Sequence, residues 1–309
     1  MLPLVFNSSV GLSILIPVYN INVTSLVQAL IAQLEKTGNE GEIILLDDGS
    51  DKFTLTANPS LQNIPAVFLY RNERNEGRMP ARQKLSGLAR YEYLLFLDCD
   101  SEIIKDDFLA TYFGLIKEDI SLASGGRLYA DAAPAACEFM LHWKYGRKRE
   151  SRQGKEGFQL GAGFQSNNFL IRREIFKRLD ASLQMTGYGH EDTWWGIQFE
   201  QAGIFCRYIN NPVLHAAIEK ADIYIEKSEK ALANLLLLAK NIDRRLISRH
   251  VRIFRWYCRL KRTGLSGIYL FFEKGFHGYF RKNLLSCKPS LFFFDYYRLA
   301  VLLRMAKIK

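Results

Sequence analysis

The sequence predicts an α/β fold in which helices cover both faces of a mostly parallel sheet. Three observations carry this. Short apolar runs without polar alternation recur through the first hundred residues, as in strands buried on both faces. Helical periodicity fills most intervals between them, and a polar or acidic turn closes each run. The chain of 309 residues is 48% hydrophobic, enough for one large domain with an appendage.

Residues 12–17 form the first strand, stopped by Pro17, with Val18, Tyr19 and Asn20 as the outgoing loop. Residues 24–36 carry Leu26, Leu30, Ile31 and Leu34 at helical spacing, with Asn22 or Thr24 to cap them. Residues 42–46 form a second buried strand, ending in Asp47, Asp48, Gly49 and Ser50. A third, residues 66–70, runs into the polar stretch 71–77, and Pro80 opens a helix reaching about Arg90. The next strand ends in Asp98-Cys99-Asp100. Two aspartates two residues apart on an extended chain project to one side. Their charges repel and are costly to desolvate unless a cation sits between them. Hard oxygen ligands suit Mg2+ or Mn2+, with substrate phosphates completing the shell. The alternative is a strand followed by a solvated acidic turn.

In open α/β sheets ligands bind beyond the carboxyl ends of the strands, so topology gathers these polar turns at one crevice. Neither G-x-G-x-x-G nor G-x-x-x-x-G-K-[ST] is present, so a metal rather than a glycine cradle must neutralise phosphate. Residues 106–118 read as a helix, and residues 121–129 as a strand broken at Gly125-Gly126, where a ligand can approach the backbone. Residues 146–157 are charged and bracketed by glycines, which predicts a mobile loop, with a closing lid as the alternative. A strand over 165–171 feeds a helix over 173–179. In residues 187–196, Glu191 and Asp192 stand beside Tyr188, His190, Trp194 and Trp195. Acidic residues in a first helical turn favour the helix dipole. The same set also describes a general base under a sugar whose apolar face stacks on indole, with Gly126, Tyr188, His190, Trp194 and Trp195 as candidate acceptor contacts. His215, a lone imidazole, is by itself more often structural.

Ile16 to Asn20, Leu46-Asp47-Asp48-Gly49-Ser50, Asn75-Glu76-Gly77 with Ala81-Arg82, the Asp98/Asp100 pair and Glu191-Asp192 occur in the order and spacing of a known family. Over about residues 11–218 the chain resembles the family 2 glycosyltransferases, and residues 187–195 look like the acceptor-side motif of the galactosyltransferase type. The resemblance implies a GT-A, Rossmann-like fold and a nucleotide-sugar donor, usually a UDP-sugar. Pro17, Val18, Tyr19, Asn20, Asp48, Gly49, Ser50, Asn75, Arg82 and Asp98 would bind that donor, and Asp98, Asp100 and His215 would hold Mn2+ or Mg2+. Asp192 would be the catalytic base of an inverting hexosyl transfer, with Glu191 orienting a glycan or lipid-linked acceptor for a surface polysaccharide or glycolipid. Gln83 and Cys99 depart from the usual pattern, where asparagine and a small residue are common. A sugar nucleotidyltransferase and a catalytically silent nucleotide-binding protein are the alternatives.

The net charge of +10 is unevenly placed. Residues 219–309 hold 20 Lys and Arg against 7 Asp and Glu, whereas residues 1–218 hold 22 against 25. This predicts a catalytic region over 1–218, with a nucleotide-sugar half over about 11–105 and an acceptor half over about 106–218, followed by a basic, aromatic helical extension over 219–309. Between Arg244 and Arg262 arginines line one helical face, while Ile247, Val251, Phe254, Tyr257 and Cys258 line the other. Lying on an anionic membrane surface or packing on the catalytic region both fit this pattern, and nucleic acid is not expected. Five widely spaced cysteines without C-x-x-C are expected to be reduced packing residues. With no apparent signal peptide, the expected location is the cytoplasm, peripheral on the inner face of its membrane.

Overall fold

The apolar runs become central strands because both their faces are covered. In the computed structural model, which describes residues 11–51, 61, 63–151, 156–183, 185 and 189–308, Leu12, Ile14, Leu15 and Ile16 are all fully buried. In chain order the elements are β1 (Leu12–Val18), α1 (Thr24–Thr37), β2 (Gly41–Asp47), β3 (Val67–Arg71), α2 (Arg78–Leu88) and β4 (Tyr93–Leu97). Then come β5 (Ser101–Glu102), α3 (Phe108–Lys117), β6 (Leu122–Ser124), β7 (Arg127–Leu128), α4 (Met140–Tyr145), β8 (Gly157–Leu160) and β9 (Asn168–Arg172). The series continues with α5 (Arg173–Arg178), α6 (Glu191–Gln201), β10 (Phe205–Tyr208), β11 (Val213–His215) and α7 (Ala221–Asn241). It ends with α8 (Arg244–His250), α9 (Arg252–Arg262), α10 (Ser266–Leu284) and α11 (Leu291–Ile308).

These elements form two compact units. The first comprises Met1–Gly126, Ser166–Leu179 and Arg207–Val213, and the second Arg127–Gln165, Asp180–Cys206 and Leu214–Lys309. The tail helices therefore share a unit with segments of the predicted acceptor half, rather than standing apart from residue 219.

In the first unit the strand order is β3-β2-β1-β4-β9-β6-β10. β3, β2, β1 and β4 are parallel, β9 runs antiparallel between β4 and β6, and Arg207–Tyr208 of β10 pair parallel with β6. On one sheet face Leu12, Ile14 and Ile16 pack with Val27 and Leu30 of α1 and with Phe108 and Tyr112 of α3. On the other, Phe96 of β4 stacks on Phe169 of β9 and meets Phe176 of α5, with ring centroids 4.9 and 4.7 Å apart. The predicted strand over 121–129 is interrupted at Gly125-Gly126. Gly126 has φ 72°, and a Cβ on Gly125 would lie 2.3 Å from the Asn211 carbonyl oxygen.

The second unit is largely helical. Ile247, Val251, Phe254 and Tyr257 are buried, as the helical spacing predicts, and Arg255, Arg259 and Arg262 of α9 face outward. α10 instead exposes Ile268, Phe271, Phe272, Phe276 and Tyr279, with Phe271 75% exposed. Among the described residues no helix is long and apolar enough to cross a membrane. Two expectations are corrected in this unit. Gly146–Glu150 form a π-helical turn continuing α4, with Arg147 on Asp131 (2.9 Å) and Glu150 on the Tyr129 hydroxyl. That part of the predicted loop is ordered by its own charges; residues 152–155 lie outside the described set. The cysteines are not all reduced, because the fold brings Cys137 and Cys287, 150 residues apart in sequence, into a disulfide that does not include Cys99, Cys206 or Cys258. Spacing alone cannot reveal a pairing made by tertiary structure.

Candidate functional site

In the first unit the parallel register sets Val18 opposite Asp47, so the turns after β1 and β2 share one sheet edge. β4, parallel to β1 on its other side, brings Asp98-Cys99-Asp100 to that edge, at the point where strand order reverses. The turns are tied together. The Asn20 backbone donates to Ser50 Oγ (2.8 Å), the Asp51 backbone to Asn20 Oδ1 (2.9 Å), and the Ser50 backbone to Asp47 Oδ1 (2.7 Å). Asp48 is buried and accepts from Asn72 Nδ2 (2.7 Å) and from the backbones of Glu76 (3.0 Å) and Gly77 (2.8 Å). Its carboxylate thereby shapes the 72–77 turn that carries the exposed Asn75. Gly49, at φ 74°, lies so close to this turn that a Cβ would sit 2.5 Å from the Arg74 carbonyl carbon. Tyr19 and Asn20 are exposed above the edge, next to the half-buried Pro17 and buried Val18.

Arg82 is only 1% exposed. Its guanidinium donates to Asp98 Oδ1 (2.7 Å), to Ser166 Oγ (3.0 Å) and to the Ser166 carbonyl (3.0 Å). Arg78 Nη1 stands 3.9 Å from Asp98 Oδ2. Asp98 is thus a buried, arginine-paired carboxylate, whereas Asp100 is half-buried at the sheet edge. Burial, then the charges of Asp100 and Asp98, push the Cys99 thiol up to about 12. Among the described residues no group of three or more His, Cys, Asp and Glu side chains is assembled to hold a metal alone. One half-buried carboxylate beside an arginine-held one fits the mode in which Mg2+ or Mn2+ keeps few protein ligands and takes the rest from substrate phosphates.

In the second unit α6 begins with Glu191, buried, and Asp192, half-buried. His190 precedes them at φ 71°, and its Nδ1 lies 3.1 Å from Thr193 Oγ1. Burial, and then the Arg298 guanidinium, push the His190 imidazole down to about 3. Gly189, at φ 103°, is held by Asn234 Nδ2, which donates to its carbonyl at 3.1 Å. The two tryptophans anchor the helix: Trp195 is fully buried, and Trp194, 8% exposed, donates to the Asp180 carbonyl (2.9 Å). Neither presents an open indole face. His215 packs with Tyr129 (5.1 Å) and His142 (5.4 Å). Tyr188 and Gly187 lie outside the described residues. Gly126 belongs to the first unit, where its carbonyl accepts from Asn168 Nδ2 (3.1 Å).

A cavity of about 790 Å³ lies wholly within the second unit, with His190 and Thr193, the sequence neighbours of the acidic pair, in its wall. Sequence reasoning missed it, along with Ser166, which shares the Arg82 guanidinium, and Asn234. The run Gln165-Ser166-Asn167-Asn168 ahead of a buried strand was the available signal for Ser166. Nothing local marks Asn234, a polar residue inside a helix.

The family described as "Glycosyl transferase family 2" matches residues 13–180. Among solved structures, the chain is similar to the mannosyltransferase PcManGT from Pyrobaculum calidifontis in complex with GDP-Man and Mn2+. That match has a TM-score of 0.51 and 14% identity, covering 74% of this chain and 64% of that one. It is also similar to S. aureus TarS 1-349, with a TM-score of 0.49 and 15% identity, covering 73% and 65%. The chain thus spans slightly less than two thirds of the length of either structure. No curated protein sequence matches it.

Proposed function

The chain belongs to glycosyl transferase family 2, and on that premise we propose an inverting, metal-dependent enzyme. It would move a hexose from a nucleotide sugar, a UDP-sugar by preference, to a hydroxyl of a glycan or lipid-linked acceptor in surface polysaccharide or glycolipid synthesis. The observation that carries this reading is the acidic turn after β4, where the buried Arg82 ion pair fixes Asp98 and leaves Asp100 half-buried at the sheet edge. A solvated acidic turn needs no buried guanidinium behind it.

In this reading Pro17 to Asn20, Asp48 to Ser50 and Asn75 form the walls that take the nucleotide, and Arg82 positions Asp98 rather than touching the donor. Asp100, with Asp98 behind it, would hold Mn2+ or Mg2+, and that ion supplies charge stabilisation to the departing nucleoside diphosphate. The GDP-Man and Mn2+ in PcManGT support a donor and a divalent ion of this kind. Asp192 would take the proton from the acceptor hydroxyl as its oxygen attacks the anomeric carbon, so the configuration inverts. Glu191, buried, would orient the acceptor side. His215 remains a candidate metal ligand, and Tyr188, His190 and Gly126 remain candidate acceptor contacts. The buried tryptophans would act as the platform of α6.

Residues 1–218 would carry catalysis and residues 219–309 the attachment to an anionic membrane on the cytoplasmic side. The exposed α10 ridge, flanked by Lys274, Arg281 and Lys282, supports that attachment better than α9, whose apolar side is buried. The test is incubation of the full chain and Mn2+ with a panel of nucleotide sugars. Slow release of a nucleoside diphosphate from one of them is expected. Pyrophosphate release would replace this reading with nucleotidyl transfer, and binding without turnover would leave a silent nucleotide-binding protein.

A further inference from the structure

The walls of the second-unit cavity carry both charged and aromatic side chains. Arg149, Arg252, Arg298 and Asp295 all line it. Asp295 Oδ2 accepts from Arg149 (3.0 Å) and from Arg252 (2.6 Å), so one carboxylate is shared by two guanidiniums. Arg298 donates through Nη1 to the Tyr145 hydroxyl (3.2 Å), while its buried Nε has no hydrogen-bond partner among the described residues. Three permanent cations thus stand against one anion, with a buried donor unspent. An unspent buried donor is costly, and the planar guanidinium fork suits phosphate oxygens.

Aromatic side chains line the cavity as well. Tyr269 and Tyr296 stack with centroids 4.3 Å apart, and Trp256 and Phe292, 50% and 70% exposed, stand at the rim. From the rim an aromatic path leads outward. Phe292 meets Phe293 (6.0 Å), and Phe293 meets Tyr279 of the exposed α10 ridge (5.6 Å). A ligand matching both kinds of lining carries an anionic group attached to an apolar chain. Its volume is in the range of small-molecule sites.

We propose that this cavity binds the phosphate of a lipid-linked acceptor. The phosphate lies among Arg149, Arg252 and Arg298, and the lipid chain leaves past Phe292 along α10. The polar end then sits by His190 and Thr193, the neighbours of Asp192. Calling the ligand an acceptor rests on the glycosyltransferase reading; the amphiphilic phosphate site itself does not.

Calorimetric titration of the full chain with dodecyl phosphate below its micelle concentration, with dodecanol, and with inorganic phosphate tests this. Dodecyl phosphate is expected to bind about tenfold or more tightly than either partial ligand, because only it matches both kinds of lining. Arg298→Gln and the more exposed Arg252→Gln should each weaken it about tenfold, with unchanged melting temperature as the check on folding. Equal binding of dodecanol would reduce the site to an apolar groove, and equal binding of inorganic phosphate to a free-anion site; either overturns the proposal. So does dodecyl phosphate binding that both variants retain at full strength. Binding of UDP with Mn2+ is measured in parallel: its loss alone would sink the donor reading and leave this site standing, while loss of dodecyl phosphate binding alone would sink only this inference.

Discussion

At the scale of residues, Arg82 decides how the acidic turn behaves. A buried guanidinium is tolerated because Asp98 and Ser166 take its hydrogen bonds, and Asp98 in turn is tolerated only beside that charge. Arg82→Met keeps the volume and removes the cation, so stability should fall by about 3–5 kcal/mol in urea unfolding, with weaker Mn2+-dependent UDP binding. Asp192→Asn should lower transfer by about 10²–10⁴-fold while leaving UDP binding intact; transfer at the original rate would remove Asp192 from the role of base. His190 adds a dependence on acid. Its ordinary value is 6.5 and the fold holds it at about 3. Above pH 6.5 both folded and unfolded chains keep the imidazole neutral. As pH falls from there toward 3, the unfolded chain takes a proton that the folded chain refuses, so stability drops by up to about 1.4 kcal/mol per pH unit. His190→Gln should flatten that part of a urea-midpoint profile.

At the scale of elements, the central strands and the helices between them are legible because each is defined by one local signal, an uninterrupted apolar run or a 3.6-residue period. β1, β2 and β4 follow from Ile14, Leu45 and Phe96 and their neighbours alone. The two-residue strands β5 and β7 follow from nothing local, since pairings so short exist only where tertiary contacts supply them. The tryptophans of α6 show the same limit: an indole packed in a core and one stacked on a sugar read identically in sequence. α10 is the converse case, with apolar residues on a face that none of the described residues of the second unit covers. Phe271→Glu with Phe272→Glu should abolish flotation with vesicles containing anionic lipid while leaving the melting temperature unchanged; undiminished flotation would remove the ridge from membrane contact.

At the scale of the molecule, the sequence suggested a division at residue 218, because charge changes sign there. The packing divides differently, since Ile247, Phe254 and Leu302 are as deeply buried as the sheet residues and complete a core begun by residues 127–165 and 180–206. Charge reports what faces water and says little about which helices share an interior. The Cys137–Cys287 link closes a long loop at the surface of that unit. Replacing both cysteines with serine should lower stability by about 2–5 kcal/mol, read as a lower urea midpoint that reductant no longer shifts.

The antiparallel strand β9 has a further consequence for how the chain is made. A nascent chain leaving the ribosome presents β1 to β4 while residues 168–172 are still unsynthesised, so the open flank of β4 waits for a partner through some seventy codons. An apolar strand left with an open edge for that long is a target for chaperones and a starting point for aggregation. Slowing translation between β4 and β9 should therefore harm the yield of folded protein more than the same delay placed after β10.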